Sequence, residues 1–374
     1  CTYLLAIFIG SFRSIEGQTK NGIPVKMYAE NGHQNSLKKL LEAAIFSIEW
    51  MEEKMGVKYE LPSLQLLSHQ GLNTGMENYG LIGLRDYTKS DDFLNGILVV
   101  MHECSHLWFG DLVSVKWWDS IWLNEGFAQY FMYLILRDFH EEYSNKAIQY
   151  FIERDGMQCL NYFDEEKIVM NEDELDYNDN LLKRSIYIKG AFVLKMFSDM
   201  VGEMNFFKVC SIWLDTFKNK SGDVKDFLSI VNSTLNKDYS NFFNTWLKTV
   251  GYPIINVSEI CDSENKITGI KICQESFSEA IYQFKIPIIF EIDGEMKKID
   301  VFLNEKEKNV ELKFDWILVN DNMGSLCAVN YSKVLLEKLI PAKKNEKLNK
   351  INLMLIQRSM MLISSLKNID QDIC

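Results

Sequence analysis

The chain has 374 residues, of which 47% are hydrophobic and 25% are charged. This composition is typical of folded domains and excludes a largely disordered protein, and the length predicts two or three domains. The formal net charge of −12, from 40 basic and 52 acidic residues, argues against a nucleic-acid-binding protein, which needs clustered lysine and arginine.

The cysteines and the start of the chain bear on its location. The eight cysteines include no CxxC pair, so we interpret them as mostly free thiols of a reducing compartment and expect a cytoplasmic protein. The early apolar run "LLAIFIG" is far shorter than the roughly 20 residues of a membrane span. The chain begins at Cys1 without a visible signal peptide, which suggests a fragment. An anchor upstream would instead make it the outer part of a membrane protein.

The first two-thirds of the chain has mostly helical patterns. Apolar residues at a spacing of three and four predict helices over 36–56, 93–110 and 124–139, the first two ending at Gly56 and Gly110. Between Phe163 and Lys183 the acidic, asparagine-rich stretch "FDEEKIVMNEDELDYNDNLLK" predicts a solvated loop with short helices.

The pattern changes at "VGYPIINV", residues 250–257. From there to Tyr331 short β-branched runs alternate with turn residues, which predicts a small β-sandwich-like domain. The predicted strands are "KITGIKIC", "FKIPIIFEI", "KKIDVFL" and "VELKFDWILV". After Pro341 the pattern is helical again.

The second predicted helix carries the pattern HExxH in "HECSH". His102 and His106 are four residues apart, so both side chains lie on one helix face and can bind one metal ion, with Glu103 beside them. The motif is short and occurs by chance, and two partly exposed helix histidines are the alternative reading.

A third potential ligand follows at a specific distance. Glu125 comes after eighteen intervening residues, 107–124, and opens the next apolar helix. A catalytic zinc usually has three protein ligands, and a carboxylate at the start of a second packed helix can supply the third. This combination is much more specific than HExxH alone.

The stretch "HECSHLWFGDLVSVKWWDSIWLNEGFAQYF" resembles the zinc aminopeptidases of the gluzincin clan, of the aminopeptidase N and puromycin-sensitive type. Three further stretches resemble motifs of that family in the same order: "TGMENYG", "YIKGAFVLKM" and "WLKTVGYPIINV". The resemblance implies an α+β multidomain fold. Its implied parts are the end of an N-terminal β-domain (1–8), a thermolysin-like, mainly helical zinc catalytic domain (9–251), a β-sandwich (252–335) and the start of a helical domain (336–374).

The resemblance also implies a role for each motif residue. One zinc ion per chain is expected on His102, His106 and Glu125, with Glu103 as the general base and Tyr187 as a donor to the oxyanion. Three residues of "TGMENYG" are expected to bind the substrate, a peptide with a free N-terminus: Gly75, Met76 and Glu77. The Glu77 carboxylate would pair with the substrate's α-ammonium group, which limits cleavage to the first peptide bond.

Two departures and two alternatives remain open. Thr74 and Gly75 stand where the common family pattern has Gly and Ala, and a β-branched residue is unfavourable there if the position needs a positive φ. One alternative function is an inactive, peptide-binding member of the same fold. The other is an epoxide hydrolase and aminopeptidase of the leukotriene type, against which the β-sandwich argues.

Overall fold

A computed structural model describes residues 4–30, 34–87, 93–161, 167–169, 183–276 and 278–372. Its strands are β1 (Arg13–Gln18), β2 (Pro24–Ala29), β3 (Leu64–His69), β4 (Gly75–Met76), β5 (Leu81–Arg85), β6 (Val113–Val115), β7 (Lys220–Gly222), β8 (Ile254–Cys261), β9 (Ile267–Glu275), β10 (Phe284–Ile292), β11 (Glu295–Leu303), β12 (Glu307–Glu311), β13 (Trp316–Val319) and β14 (Ala328–Tyr331). Its helices are α1 (Gln34–Met55), α2 (Phe93–His106), α3 (Trp122–Phe139), α4 (Glu141–Tyr150), α5 (Met157–Asn161), α6 (Arg184–Val201), α7 (Glu203–Phe217), α8 (Val224–Leu235), α9 (Ser240–Lys248), α10 (Lys333–Lys344) and α11 (Lys350–Asp372).

The described residues form two compact units. The first unit consists of the described residues within Cys1–Ile148 and Glu203–Lys237. The second unit consists of the described residues within Gln149–Leu175, Leu182–Gly202 and Asp238–Cys374. The chain is thus a mixed α and β protein with several sheets, as predicted. The domain boundaries proposed from the sequence stay a prediction.

The first unit contains a mixed sheet with the strand order β1-β2-β3-β5-β4. Strands β2, β3 and β5 run parallel, whereas β4 is antiparallel to β5, with Gly75 opposite Leu84 and Met76 opposite Gly83. Helix α2 packs against α1, α3, β4 and β5. The short edge strand β4 therefore lies beside the helix that carries the HExxH motif.

The helices of the first unit agree with the sequence pattern, with one difference. α1 ends at Met55 before Gly56, which has a φ of 67°, and α3 begins at Trp122. α2 ends at His106, four residues before the predicted end. The carbonyl of His106 accepts the amide hydrogen of Asp111, five residues on, and Gly110 has a φ of 146°. The chain therefore turns directly after the second histidine.

The second unit contains two sheets formed largely by the predicted strands. β11-β10-β13 form one sheet and β12-β9-β8-β14 the other. The run "VELKFDWILV" was wrongly predicted as one strand, because it divides between β12, which pairs with β9, and β13, which pairs with β10. In the connection the amide of Asp315 donates to the carbonyl of Glu291. β14 pairs with β8 in parallel.

A helix in the second unit precedes the predicted start of the final helical stretch. α10 begins at Lys333, and the hydroxyl of Ser332 accepts the amide hydrogen of Leu335, as an N-cap does. Pro341 lies inside this helix. The serine and the apolar spacing in "SKVLLEKLI" were the overlooked signal.

Three other expectations have different outcomes. The acidic stretch from Phe163 to Lys183 lies almost wholly outside the described residues. The thiols of Cys104, Cys210, Cys261, Cys273 and Cys327 are free, as the sequence predicted. In the described part of the chain, no helix is long and apolar enough to cross a membrane.

Aromatic rings hold α3 against the turn that follows α2. Phe127 on α3 stacks on Phe109 with ring centroids 4.5 Å apart and an interplanar angle of 8°. Phe131 stacks on Phe109 at 5.1 Å, and Phe227 meets Phe127 edge-on at 5.5 Å. Phe127 is fully buried. These contacts fix the first turn of α3, which contains Glu125, next to the end of α2.

We expect Phe127→Ala to lower the free energy of unfolding by about 3–5 kcal/mol, because it removes a fully buried ring from this stack. Urea unfolding of the purified protein measures this value. Ile148→Ala, which changes an exposed side chain, is the control and should leave it nearly unchanged. A loss for Phe127→Ala no larger than that of the control would contradict the packing described.

Candidate active site

The two histidines of α2 and the glutamate of α3 come together as the sequence predicted. The Nε2 atoms of His102 and His106 are 3.1 Å apart. The Oε2 atom of Glu125 lies 3.4 Å from Nε2 of His102 and 3.2 Å from Nε2 of His106. Three potential ligand atoms thus form a nearly equilateral triangle.

This triangle has the size that a zinc ion requires. Zinc bonds of about 2.0–2.1 Å in tetrahedral geometry place neighbouring ligand atoms about 3.3 Å apart. Two imidazole nitrogens and one carboxylate oxygen are also a ligand set that catalytic zinc uses, with the fourth position open. The residues present therefore fit a zinc ion without rearrangement.

The ring of His106 is oriented by the turn after α2. Its Nδ1 lies 3.0 Å from the carbonyl oxygen of Phe109, so Nδ1–H donates and Nε2 stays available to a metal. Phe109 was missed by the sequence analysis as a functional residue. A carbonyl three residues after a ligand histidine gives no signal of its own in the sequence.

Burial and Glu125 determine the charges in this cluster. Burial lowers the pKa of His102, with His106 acting in the same direction. Burial also opposes the charge on His106, but Glu125, Glu77 and Glu103 together outweigh it and raise the pKa of His106 well above its ordinary value. The pKa of Glu125 is low despite burial, because His106 and His102 stabilise its charge. Glu125 is therefore the group that favours a positive charge on the two histidines of this cluster.

Glu103 lies beside this cluster and is 5% exposed. Its carboxylate, that of Glu77 and a ring nitrogen of His106 have atoms within 4.8 Å of one another. Burial raises the pKa of Glu103 well above its ordinary value, and Glu77 and Glu125 add to this while His106 opposes it. A cation bound at the histidines would lower it again and favour the ionised form that a base needs.

The segment "TGMENYG" runs past this site on β4. Gly75, Met76 and Glu77 are half-buried, and Thr74 is exposed. Neither Thr74 nor Gly75 has a positive φ, so the β-branched residue is accommodated without backbone strain. The Thr74 carbonyl accepts the amide hydrogen of Arg85 at 2.7 Å, which fixes the segment to β5.

Asp111 is a buried carboxyl group that the sequence analysis did not single out. Both side-chain oxygens are buried without a hydrogen-bond partner among the described residues. Burial raises its pKa to about 8, with Glu77 contributing and His106 opposing. It adds to the excess of carboxyl groups around Glu77 and the histidines.

Tyr187 lies on α6 in the second unit and is half-buried. Its catalytic role stays a prediction.

His102, His106 and Glu125 form a group that could hold one metal ion, and the buried Glu103 lies beside it. Residues 40–246, more than half of the chain, match the peptidase family M1 domain. The chain belongs to peptidase family M1.

Named relatives agree with this assignment. Aminopeptidase M1-A of Oryza sativa subsp. japonica is 27% identical over 93% of this chain and 42% of its own length. The puromycin-sensitive aminopeptidase of Caenorhabditis elegans is 26% identical over 91% of this chain and 38% of its own length. The alanine/arginine aminopeptidase of Saccharomyces cerevisiae is 29% identical over 88% of this chain and 40% of its own length. The chain thus spans about two fifths of each relative.

We expect zinc affinity to fall about tenfold for each pH unit below about pH 6.5, the ordinary pKa of histidine, because the pKa of His106 is raised and zinc must then displace a proton from its ring. Competition with a chromogenic chelator at several pH values measures the apparent dissociation constant. His140→Gln changes an exposed histidine outside the cluster and should keep both the affinity and its pH dependence.

His106→Ala should abolish tight zinc binding at every pH, because it removes one ligand of three. An affinity for the unaltered protein that does not change with pH, or full zinc content in His106→Ala, would refute this arrangement.

Proposed function

We propose that this chain carries the catalytic part of a zinc-dependent aminopeptidase that removes N-terminal residues from peptides. The observation on which this rests is the triangle of ligand atoms from His102, His106 and Glu125, with Glu103 beside it. Family membership and the aminopeptidase names of the relatives support it. We assign the helical region to a thermolysin-like zinc domain, followed by a β-sandwich and the start of a helical domain.

A bound zinc ion would polarise the carbonyl of the bond to be cleaved and lower the pKa of a water molecule. Glu103 would accept a proton from the attacking water and then donate it to the leaving amine nitrogen. Its buried position suits this exchange, since solvent does not compete for the proton. Tyr187, in a stretch that resembles a family motif, would donate its phenolic hydrogen to the developing oxyanion.

The edge strand β4 would bind the peptide backbone. It is the last strand of its sheet, and an extended peptide can pair with such an edge. Gly75 and Met76 form this edge beside α2, and Glu77 follows directly. A peptide aligned along β4 would therefore bring its N-terminus to Glu77.

Glu77 would make the enzyme an exopeptidase. Its carboxylate lies within 4.8 Å of atoms of Glu103 and His106, in a region where Glu103 and Asp111 add further carboxyl groups. A substrate α-ammonium group would supply the missing positive charge. Binding this group next to the metal cluster leaves only the first peptide bond within reach of the base.

Glu103→Ala should lower kcat for an amino-acid anilide by roughly 10² or more while leaving the zinc content unchanged, since Glu103 acts as the base and is not a ligand. Steady-state kinetics and metal analysis of the same preparation measure both quantities. Activity within tenfold of the unaltered enzyme would remove Glu103 from the mechanism. Glu60→Ala, a surface glutamate far from the motif in sequence, is the control and should retain full activity.

Acetylation of the substrate N-terminus tests Glu77. It removes the positive charge and leaves the carboxylate desolvated and unpaired, so kcat/KM should be at least roughly 30-fold lower for the acetylated peptide. Glu77→Ala should lower kcat/KM for the free peptide and bring the two substrates close together. Glu77→Gln, which keeps the size and removes the charge, should behave as Glu77→Ala does. Equal cleavage of both peptides by the unaltered protein would mean that it is not an aminopeptidase.

A further inference from the structure

Gly75 on β4 lies so close to the side chain of Glu103 that no space is left for a Cβ atom. A Cβ atom at position 75 would lie 2.1 Å from Oε1, 2.5 Å from Cδ and 2.6 Å from Cγ of Glu103. Each of these distances is below the 3.0 Å that real Cβ atoms respect. The space next to Gly75 is thus filled by the glutamate side chain.

Small adjustments would not relieve this overlap. Rotation about the Cγ–Cδ bond moves the carboxylate oxygens but leaves Cγ in place. Relief needs a different χ1 rotamer of Glu103 or a movement of β4 away from α2. Glu103 is 5% exposed within packed surroundings, and β4 is fixed to β5 through the bond between Thr74 and Arg85. Both changes are therefore costly.

The requirement at position 75 is for space and not for an unusual backbone. Gly75 has no positive φ, in contrast to Gly110 with its φ of 146°. Any L-residue could adopt the backbone conformation of Gly75. The three atoms nearest to a Cβ at this position all belong to Glu103.

We propose that Gly75 is a positioning residue for Glu103, and that its missing side chain leaves the space in which the base holds its working rotamer. The inference rests on the proposed function in taking Glu103 as the base. The common family motif has alanine at this position, whereas here the Glu103 side chain fills the space that a Cβ atom would need. Gly75 thereby sets where the proton is accepted, in addition to bordering the peptide.

A double-mutant cycle on the metal-free protein tests the contact without any activity measurement. Gly75→Ala should lower the midpoint of thermal unfolding by roughly 4 °C or more, since it forces atoms together in a packed region. In the Glu103→Ala background the same change should cost less than about 1 °C, because Cγ and the carboxylate are gone. If Gly75→Ala alone does not fold, the double variant should recover the folded protein.

Gly83→Ala provides a matched control on the neighbouring strand. Its Cβ would meet Cδ1 of Leu72 at 2.7 Å and no atom of Glu103. It should therefore lower the midpoint equally in both backgrounds. Equal losses for Gly75→Ala in both backgrounds, or no recovery in the double variant, would overturn the proposal.

The kinetic arm separates positioning of the base from obstruction of the substrate. Gly75→Ala should lower kcat by about tenfold or more, with KM changed less than about threefold and zinc content unchanged. A raised KM with an unaltered kcat would overturn the positioning role. If the unaltered enzyme cleaves no peptide, the proposed function fails, and the stability cycle still decides the contact between Gly75 and Glu103.

Discussion

The site depends on bringing three ligand atoms from two helices within 3.4 Å of one another. Two of them come from one helix face and need no further constraint, since His102 and His106 are one turn apart. The third requires that α3 start at a fixed place beside α2. The stacked rings of Phe109, Phe127 and Phe131 supply this constraint, so the aromatic core of the first unit partly determines where Glu125 lies relative to the two histidines.

Burial gives the same cluster its chemical character. The carboxyl groups of Glu77, Glu103, Asp111 and Glu125 all interact electrostatically with His106. Burial opposes the ionisation of Glu103 and Asp111 and raises their pKa values, so a cation bound nearby would favour their ionised forms. A divalent metal at the histidines and an ammonium group at Glu77 would together neutralise them. A metal and a peptide N-terminus are the two cations that the proposed reaction brings to this site.

The sequence predicted the parts of this site that follow from local periodicity or from a long motif. The histidine pair follows from the helical repeat, and Glu125 from its distance in a stretch that resembles a known family. The contact between Gly75 and Glu103 could not be predicted, because it joins a strand edge and a helix that are distant in sequence. The sequence raised a positive φ as a possible constraint on Thr74, whereas the structure has no positive φ there and has a constraint of space at Gly75.

In the fold, too, the sequence predicted the features that depend on neighbouring residues and missed those that depend on residues distant in sequence. Helix α1 and strand β10 have the predicted limits within two residues, because hydrophobic spacing and turn residues act locally. "VELKFDWILV" reads as one strand, yet its halves pair with β9 and β10, and only the partners decide that division. Helix α2 ends at His106 because the carbonyl of His106 accepts the amide hydrogen of Asp111.

We propose that one zinc ion is held by His102, His106 and Glu125. X-ray absorption spectroscopy of the zinc-loaded protein tests it most directly, because Cys104 lies between the two histidines in the sequence and a sulfur ligand would be seen at once. We predict one zinc per chain with only nitrogen and oxygen neighbours, at about 2.0–2.1 Å. A zinc–sulfur distance of about 2.3 Å, or an absence of stoichiometric zinc, would contradict the account.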